Sequence, residues 1–577
     1  MRLLLFVTII CLCFSTSFAA CGFYPLTLQQ TINESSQIVE GKITNKVAYY
    51  NSAKTFIYTK YTIKISKIFK GKSVEYIDFV EEGGSVGNEI IQTTAQTNIN
   101  VNDEGVFFLH EKSVQNFELA TAFQSFFKYD YSRNISTNSV LNFSIIDNAF
   151  CNLLQNTIGQ NALFISKFKT QNVIPNRAIQ SAPFINSISP TSITAGTSSI
   201  LTINGSGFGD AQNGFVFFAN PDDGGQTYIS APSSFITSFN DTKITVKVPS
   251  QAGTGKVWVR KGTETGISTQ KLTVNYSRSN VVDNNNYFTS NLVDANETGG
   301  YLLSLNKKFE ANMEASSSFI DALENWRCAT FVNFATTQSA DLDVRERDNT
   351  NIVRFAKQGE LKPGILGITY SYYAGCNSDN WFLKEFDMVF LDTTIWNFNN
   401  ATATNLQYDF NTVVLHELGH AHQLSHVIDT GNIMHYSVKK ANEKRVIDEN
   451  SLSCANLLIS DSKKTILCGP SNMQLLNNEV CGDASFTYYE LKKPILTPNP
   501  ANNLLTIDFF LPQKTNVLLQ LFNVDGKLIA ELLNAEKPAG KVSVAINLHE
   551  TNFSNGLYFV KFIAQNKSFV SKLILNK

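Results

Sequence analysis

The chain has 577 residues, 43% of them hydrophobic and 17% charged, with a formal net charge of −2. That balance excludes a disordered chain, which needs fewer apolar residues and more charge, and the lack of a basic stripe argues against nucleic acid as a partner. The length suits about four domains of ~150 residues, and strand-like stretches dominate, so the expected fold class is multidomain and mainly β with one helical island.

Residues 1–20, MRLLLFVTIICLCFSTSFAA, read as a signal peptide. Arg2 gives the positive end, Leu3 to Phe14 the apolar run, and Ser17, Ala19 and Ala20 the small residues near a cut. The run is too short to span a bilayer comfortably, and no other segment is long and apolar enough. The mature chain is therefore expected to be secreted or at the cell surface, with no membrane span. Of nine cysteines, Cys11 and Cys13 leave with the signal. By position the expected pairs are Cys21–Cys151, Cys328–Cys376 and one among Cys454, Cys468 and Cys481, although connectivity cannot be read from sequence. FAAC also resembles a lipoprotein signal, and a lipidated Cys21 would leave an even number of thiols.

Residues 21–165 form a β-rich N-terminal domain, with QIVEGKIT, KYTIKISKIF and GVFFLHE alternating or running apolar. Its opening, CGFYPLTLQQTINESSQIVEGKIT followed by KISKIFKGK, resembles netrin-like or tissue-inhibitor domains, which are small OB-type barrels. A plain β-domain is the competing reading. Residues 166–182 are a polar linker.

Residues 183–276 begin PFINSISPTSITAGTSSILTINGSGFG and close at KLTVNY. The ISPTSITAG entry and the LTINGSGFG strand and turn resemble the IPT/TIG family of immunoglobulin-like domains. Pro190 and Gly196 punctuate the segment, and Gly205, Gly207 and Gly209 permit a tight bulged turn. The likeness implies a β-sandwich and says little about function.

Residues 285–465 carry the chemistry. Five of the seven histidines lie in LHELGHAHQLSHVIDTGNIMHYS, residues 415–437. FNTVVLHELGHAHQL reads as an apolar-faced helix, on which positions i and i+4 differ by only ~40°. His416 and His420 therefore project together and suit two adjacent corners of a zinc tetrahedron. Glu417 lies beside the first, which completes HExxH with Glu as general base. His426 is six residues beyond His420. Six helical steps point it ~120° away, so it reaches the same ion only if the helix ends first.

Met434 follows His426 by eight residues. This spacing resembles the matrixin branch of the metzincin metalloproteases. The resemblance implies His416, His420 and His426 as zinc ligands, Glu417 as the catalytic base and Met434 as the structural Met-turn residue. It also implies an order of elements. SSFIDALENWRCATFVNF would be the long first helix, IVRFAK a strand, and GILGITYSYY the edge strand that pairs with substrate. FDMVFLDTTIWNF would be the next strand and RVIDENSLSCANLLIS the closing helix. Calcium is common in such domains, though no loop here is specific enough to name its ligands. The cysteine-switch motif of matrixins is missing from the preceding segments.

One residue departs from the pattern: Gln423 stands where metzincins have Gly. A non-Gly residue in a left-handed turn costs on the order of 1 kcal/mol, against ~10 kcal/mol from zinc in closed sites. The departure leaves open a third ligand from Glu443 or Glu449, which the eight-residue step to Met434 disfavours. His422 lies ~200° round the helix from His420 and reads as a surface or supporting residue, and His435 as structural. Tyr436 stands between a packed tyrosine and a transition-state stabiliser.

After a linker, 466–493, residues 494–577 run from PILTPNPANN through LQLFNVDGKLI and GLYFVKF to Lys577. That order resembles the C-terminal sorting domain of the Bacteroidetes type IX secretion system. It implies handling by that machinery and later removal of the domain. Asp525-Gly526 suits a two-residue hairpin turn.

The function expected is that of a secreted zinc-dependent endopeptidase acting on proteins or peptides. Three imidazoles leave the fourth zinc position for water, which zinc acidifies towards pKa ~7. Glu417 takes the proton and passes it to the leaving amine, and substrate lies along GITYSYY by strand addition. The alternative is a surface adhesin with an inactive protease core.

Overall fold

The computed structural model describes residues 23–576 other than 132, 139, 167–181, 211–213, 263, 284–285, 378–379, 400, 465–468, 477–492, 512–514, 538–539, 549–552 and 565–566. The expected signal peptide, Cys21 and most of both linkers lie outside these residues.

In the N-terminal domain, Gln37–Tyr50, Ile57–Lys70, Tyr76–Glu82, Asn116–Leu119 and Glu104–Ser113 pair in that order, and the last returns to the first, closing a barrel. Alternation drives it: Ile57, Thr59, Tyr61, Ile63 and Ile65 of one strand are buried, and none of the residues between them is. Ile63, Phe79, Phe107 and Leu109 fill the interior. A hairpin, Gly84–Val86 with Glu89–Thr93, leaves this barrel and joins the sheet of the histidine-bearing domain. Cys151 is a free, buried thiol 3.3 Å from Glu40 Oε2, so the expected pair with Cys21 is not formed. Cys454 is likewise free, and Cys328 is disulfide-bonded.

Residues 184–278 form two facing sheets. Phe184–Ser189, Ile200–Ser206, Lys243–Lys247 and Ile236–Phe239 make one. Ser192–Ala195, Glu264–Arg278, Gly253–Lys261, Gly214–Ala219 and Tyr228–Ser230 make the other. Leu201, Ile203, Val216, Val257 and Leu272 are buried between them.

The histidine-bearing domain is a twisted mixed sheet in the order Phe334–Ala340, Tyr301–Asn306, Asn351–Phe355, Asn380–Phe390, Gly367–Asn377. The first four are parallel and the last is antiparallel to its neighbour. The helices Met313–Thr330 and Phe410–Ala421 share one core with it, through Phe319, Trp326, Phe390, Leu415 and Leu418. Trp326 Nε1 donates to the Leu415 carbonyl at 2.8 Å and locks the two helices in register. The helix Glu449–Lys464 closes the domain. Residues 469–476, which the sequence placed in a linker, pack back here. Met473 is buried in the core, and Gln474 N donates to Gly299 O at 2.7 Å.

From Ile495 onward a second small sandwich is built of Ile495–Thr497, Leu504–Leu511 and Gly540–Asn547 facing Leu528–Lys537, Thr515–Phe522, Gly556–Ala564 and Lys567–Leu575. Its Asp525-Gly526 turn is longer than expected. Asn523 N and Lys527 O close the loop, and Gly526 takes φ 75° as its last residue. The fold is multidomain and mainly β. No helix among the described residues is long and apolar enough to cross a membrane.

Candidate metal centre

Asp409 starts the helix that carries the histidines. Its carboxylate accepts from Thr412 N at 3.0 Å and Thr412 Oγ1 at 2.6 Å, which satisfies a free helix N–H. The helix runs Phe410–Ala421 and stops at Gln423, whose φ is 61°. The left-handed residue turns the chain out of the helix, and Leu424–Ser425 pair with Arg278 and Ser277 of the preceding sandwich. The chain then returns at His426.

This detour brings the third imidazole to the first two. His420 Nε2 lies 3.0 Å and His426 Nε2 3.2 Å from His416 Nε2. The three are the one group of such ligands assembled among the described residues. Each opposite ring nitrogen is engaged: His416 Nδ1 by Ile433 O at 2.9 Å, His420 Nδ1 by Leu424 O at 2.9 Å, and His426 Nδ1 by Asp222 Oδ1 at 2.7 Å. A carbonyl only accepts, so Nδ1 of His416 and His420 holds the proton and Nε2 keeps its lone pair. Burial pushes His420 down to about 3 and His416 well below its ordinary value. Lone pairs converging with no proton between them repel unless a cation lies there. Tetrahedral zinc ligands at ~2.0–2.1 Å from the ion sit about 3.3 Å apart, which the observed separations fit.

Met434 is buried beneath the helix. A Cβ at Gly419 would collide with its Sδ, so glycine in HELGH leaves room for the methionine. Met434 O accepts from Val427 N at 3.0 Å, fixing the segment that bears His426.

Glu417 is 1% exposed. Burial pushes its carboxyl up to about 7, while hydrogen bonds from Thr369 and Thr94 act in the other direction. Thr369 Oγ1 donates to Glu417 Oε2 at 2.7 Å. Glu443 turns away, to the main-chain N–H of Ala403 and to Arg445, and Glu449 opens the last helix. Neither joins the cluster.

Two expectations need correction. His422 is not a surface residue: it is fully buried, stacked on Trp326 at 4.4 Å between ring centres and set against Phe334. The strand Gly367–Asn377 is not a free edge. Glu89–Thr93 of the N-terminal domain pairs with it antiparallel, from Tyr370 opposite Thr93 to Ala374 opposite Glu89. His435 is buried, and its Nδ1 meets the Ser437 main chain. Tyr436 is buried with its phenol against Gly224 of the sandwich. Asp222, Thr369 and the hairpin escaped the sequence reading. Asp222 sits 204 residues from His426 in a turn, PDDGG, that carries no ligand spacing.

Comparison with known families follows this division. Residues 300–455 match the matrixin model, 183–276 the IPT/TIG domain, and 496–576 the secretion system C-terminal sorting domain. No curated protein matches the chain. Among solved structures, dimeric latent PorU from Porphyromonas gingivalis is 7% identical with a TM-score of 0.13; the match covers 94% of this chain, which spans 30% of that one. A tetra-tandem repeat from the extending region of a large adhesion protein is 10% identical with a TM-score of 0.13, over 94% of this chain and 92% of that one. Scores of this size carry no argument about fold. The match over residues 300–455 suggests a metallopeptidase-like protein, and the sorting domain marks the chain for type IX export to the cell surface or extracellular space.

Proposed function

We propose that the chain is a secreted zinc-dependent endopeptidase, with His416, His420 and His426 as metal ligands and Glu417 as general base. The observation that carries this reading is the convergence of three Nε2 atoms whose Nδ1 partners are all in place. Zinc held there supplies Lewis-acid polarisation of a carbonyl and an acidified water.

The rest of the work falls to the chain's own groups. Glu417, pushed up to about 7, is matched to accepting a proton from water and returning it to the leaving amine. Thr369 donates to one oxygen of that carboxylate and fixes its direction. Met434, under Gly419, and the Val427–Met434 bond keep His426 from drifting. Tyr436 contributes chiefly by packing, because its phenol faces the neighbouring sandwich. Strand Gly367–Asn377 reads an extended peptide by backbone pairing, once its present partner is out of the way.

The test is metal analysis with gelatin or casein digestion. One zinc per chain is expected, with activity lost on chelation and restored by zinc. Glu417→Gln should keep the metal and lose most turnover. Full activity after thorough metal removal would overturn the reading, and metal without any digestion would favour the binding-protein alternative.

A further inference from the structure

We propose that Asp222, on the IPT/TIG domain, is a positioning residue of the metal centre that acts through His426; this rests on the metallopeptidase reading. His416 and His420 are oriented by carbonyls of their own domain, but His426 is oriented by a carboxylate from another. The turn presenting Asp222 is internally tied. Asn220 Oδ1 accepts from Asp222 N at 3.1 Å. Buried Asp223 accepts from the N–H groups of Gly225, Gln226 and Thr227 at 3.0, 2.8 and 3.0 Å. Gly224, at φ 69°, lets the Tyr436 phenol sit against the backbone, where a Cβ would not fit. Ser279 N donates to Gln423 O at 2.8 Å, and Arg278 and Ser277 pair with Leu424 and Ser425. The segment carrying the third ligand is thus held by the sandwich on both sides. A carboxylate on the far nitrogen of a ligating imidazole fixes its tautomer and raises its basicity.

The test measures zinc affinity of the full chain against a chromophoric chelator, with the cobalt-substituted visible spectrum as a second readout. Asp222→Ala should weaken zinc ~10–100-fold and shift the cobalt bands. Asp222→Asn, which keeps an acceptor without the charge, should recover part of the loss. Unchanged melting of the metal-free protein would separate this from unfolding. Wild-type affinity and spectrum in Asp222→Ala, with affinity lost in His426→Ala, would overturn the positioning role and leave the metallopeptidase reading standing. Failure of the wild-type chain to take up zinc would overturn both.

A different observation carries a second proposal. We infer that the hairpin Gly84–Val86/Glu89–Thr93 is a built-in blocker of the strand that would bind substrate. It pairs over five residues of that strand, and Thr94 continues over the base. Thr94 N donates to Thr369 O and Thr369 N to Thr94 Oγ1, both at 3.2 Å, one residue contact from Glu417. Arg345 pairs with Glu82, and Arg347 with Glu89, across the same seam. An added peptide strand needs those main-chain groups, so hairpin and substrate exclude each other. The hairpin is an excursion from the barrel. A Cβ at Gly83 would lie 3.1 Å from Gln96 Oε1, so its two feet stand side by side.

The full chain and a variant with residues 84–93 replaced by a short Gly-Ser bridge, which keeps Thr94 beside Glu417, are compared, both zinc-loaded, for peptide hydrolysis and for binding of a peptide hydroxamate. Excision should raise both at least several-fold. If excision misfolds the barrel, the cross-strand pair Gln92→Cys with Ser371→Cys offers a reversible lock, expected to suppress hydroxamate binding when oxidised and restore it when reduced. Equal binding with the hairpin present, absent or locked would overturn the proposal. Improved hydroxamate binding without hydrolysis would support the blocker and count against the peptidase reading.

Discussion

Tyr373 donates its hydroxyl to Oε1 of Gln423 at 2.7 Å, linking the strand Gly367–Asn377 to the turn that ends the histidine helix. The same oxygen accepts from Ser290 Oγ at 2.8 Å, and Gln423 is fully buried. From sequence, glycine at 423 would merely relieve a left-handed residue. In the structure it would also remove the acceptor of two buried hydroxyls.

Gln423→Gly should therefore destabilise the domain. Relief of the left-handed backbone is worth about 1 kcal/mol, whereas each buried hydroxyl left unpaired costs ~1–3 kcal/mol. A net loss on the order of 1–5 kcal/mol is expected, read as a lower urea midpoint. A midpoint equal to or above wild type would show that water or a rotated side chain replaces the glutamine.

His422→Ala should cost stability and spare the metal. The imidazole fills core space between Trp326 and Phe334, with Nδ1 against Leu418 O at 2.8 Å. Truncation leaves a cavity worth on the order of 2–3 kcal/mol. Zinc affinity per folded molecule should be unchanged, because the ring points away from the ligand cluster. A large drop in zinc affinity at unchanged stability would reverse that assignment.

His426→Ala and Glu443→Ala separate the two sequence-level candidates for the third ligand. Glu443 is committed to Ala403 N and Arg445. Its loss should leave zinc content near wild type, while His426→Ala should lower zinc affinity by orders of magnitude, as measured by chelator competition. The opposite pattern would make the third ligand a carboxylate.

How far these residues could be read from sequence follows from range. The i, i+4 pair His416/His420 is a helix-local fact, and the apolar face of Phe410–Ala421 announced the helix. The eight-residue step to Met434 stays within one excursion and was equally legible. His422 was misplaced because helical angle shows which face a residue takes, not what covers that face; Trp326 and Phe334 come from 96 and 88 residues away in the chain. Asp222 and the Glu89–Thr93 strand come from other domains, and no local periodicity records a docking. The closed strand edge was hidden for the same reason. GITYSYY reads as a strand whether its last partner is substrate or another part of the chain.

Asp387 provides a pH test of the domain's core. It is 1% exposed on the strand Asn380–Phe390; Oδ1 accepts from Ile352 N at 2.9 Å and Oδ2 from the Tyr372 hydroxyl at 3.1 Å. Burial, then the charge of nearby Glu385, holds its carboxyl well above the ordinary value of 3.8. Burial also pushes Glu385 up to about 7 from 4.5. For an acid whose folded pKa is raised, the folded state binds the proton more tightly. Its stabilising contribution is complete below the unfolded pKa and is lost as pH rises towards the folded one. The Asp387 contribution to the urea midpoint of the metal-free protein, followed by tryptophan fluorescence, should therefore be smaller at pH 8 than at pH 5, against the opposite trend of the buried histidines His416, His420, His422 and His435, whose pKa values burial pushes down. Asp387→Asn keeps an oxygen for Ile352 N and an N–H for the tyrosine oxygen, and it carries no charge to bury. It should leave the pH 5 midpoint nearly unchanged and raise the one at pH 8. A profile unchanged from wild type in Asp387→Asn would place the pH dependence elsewhere, with Glu385→Gln the next variant to measure.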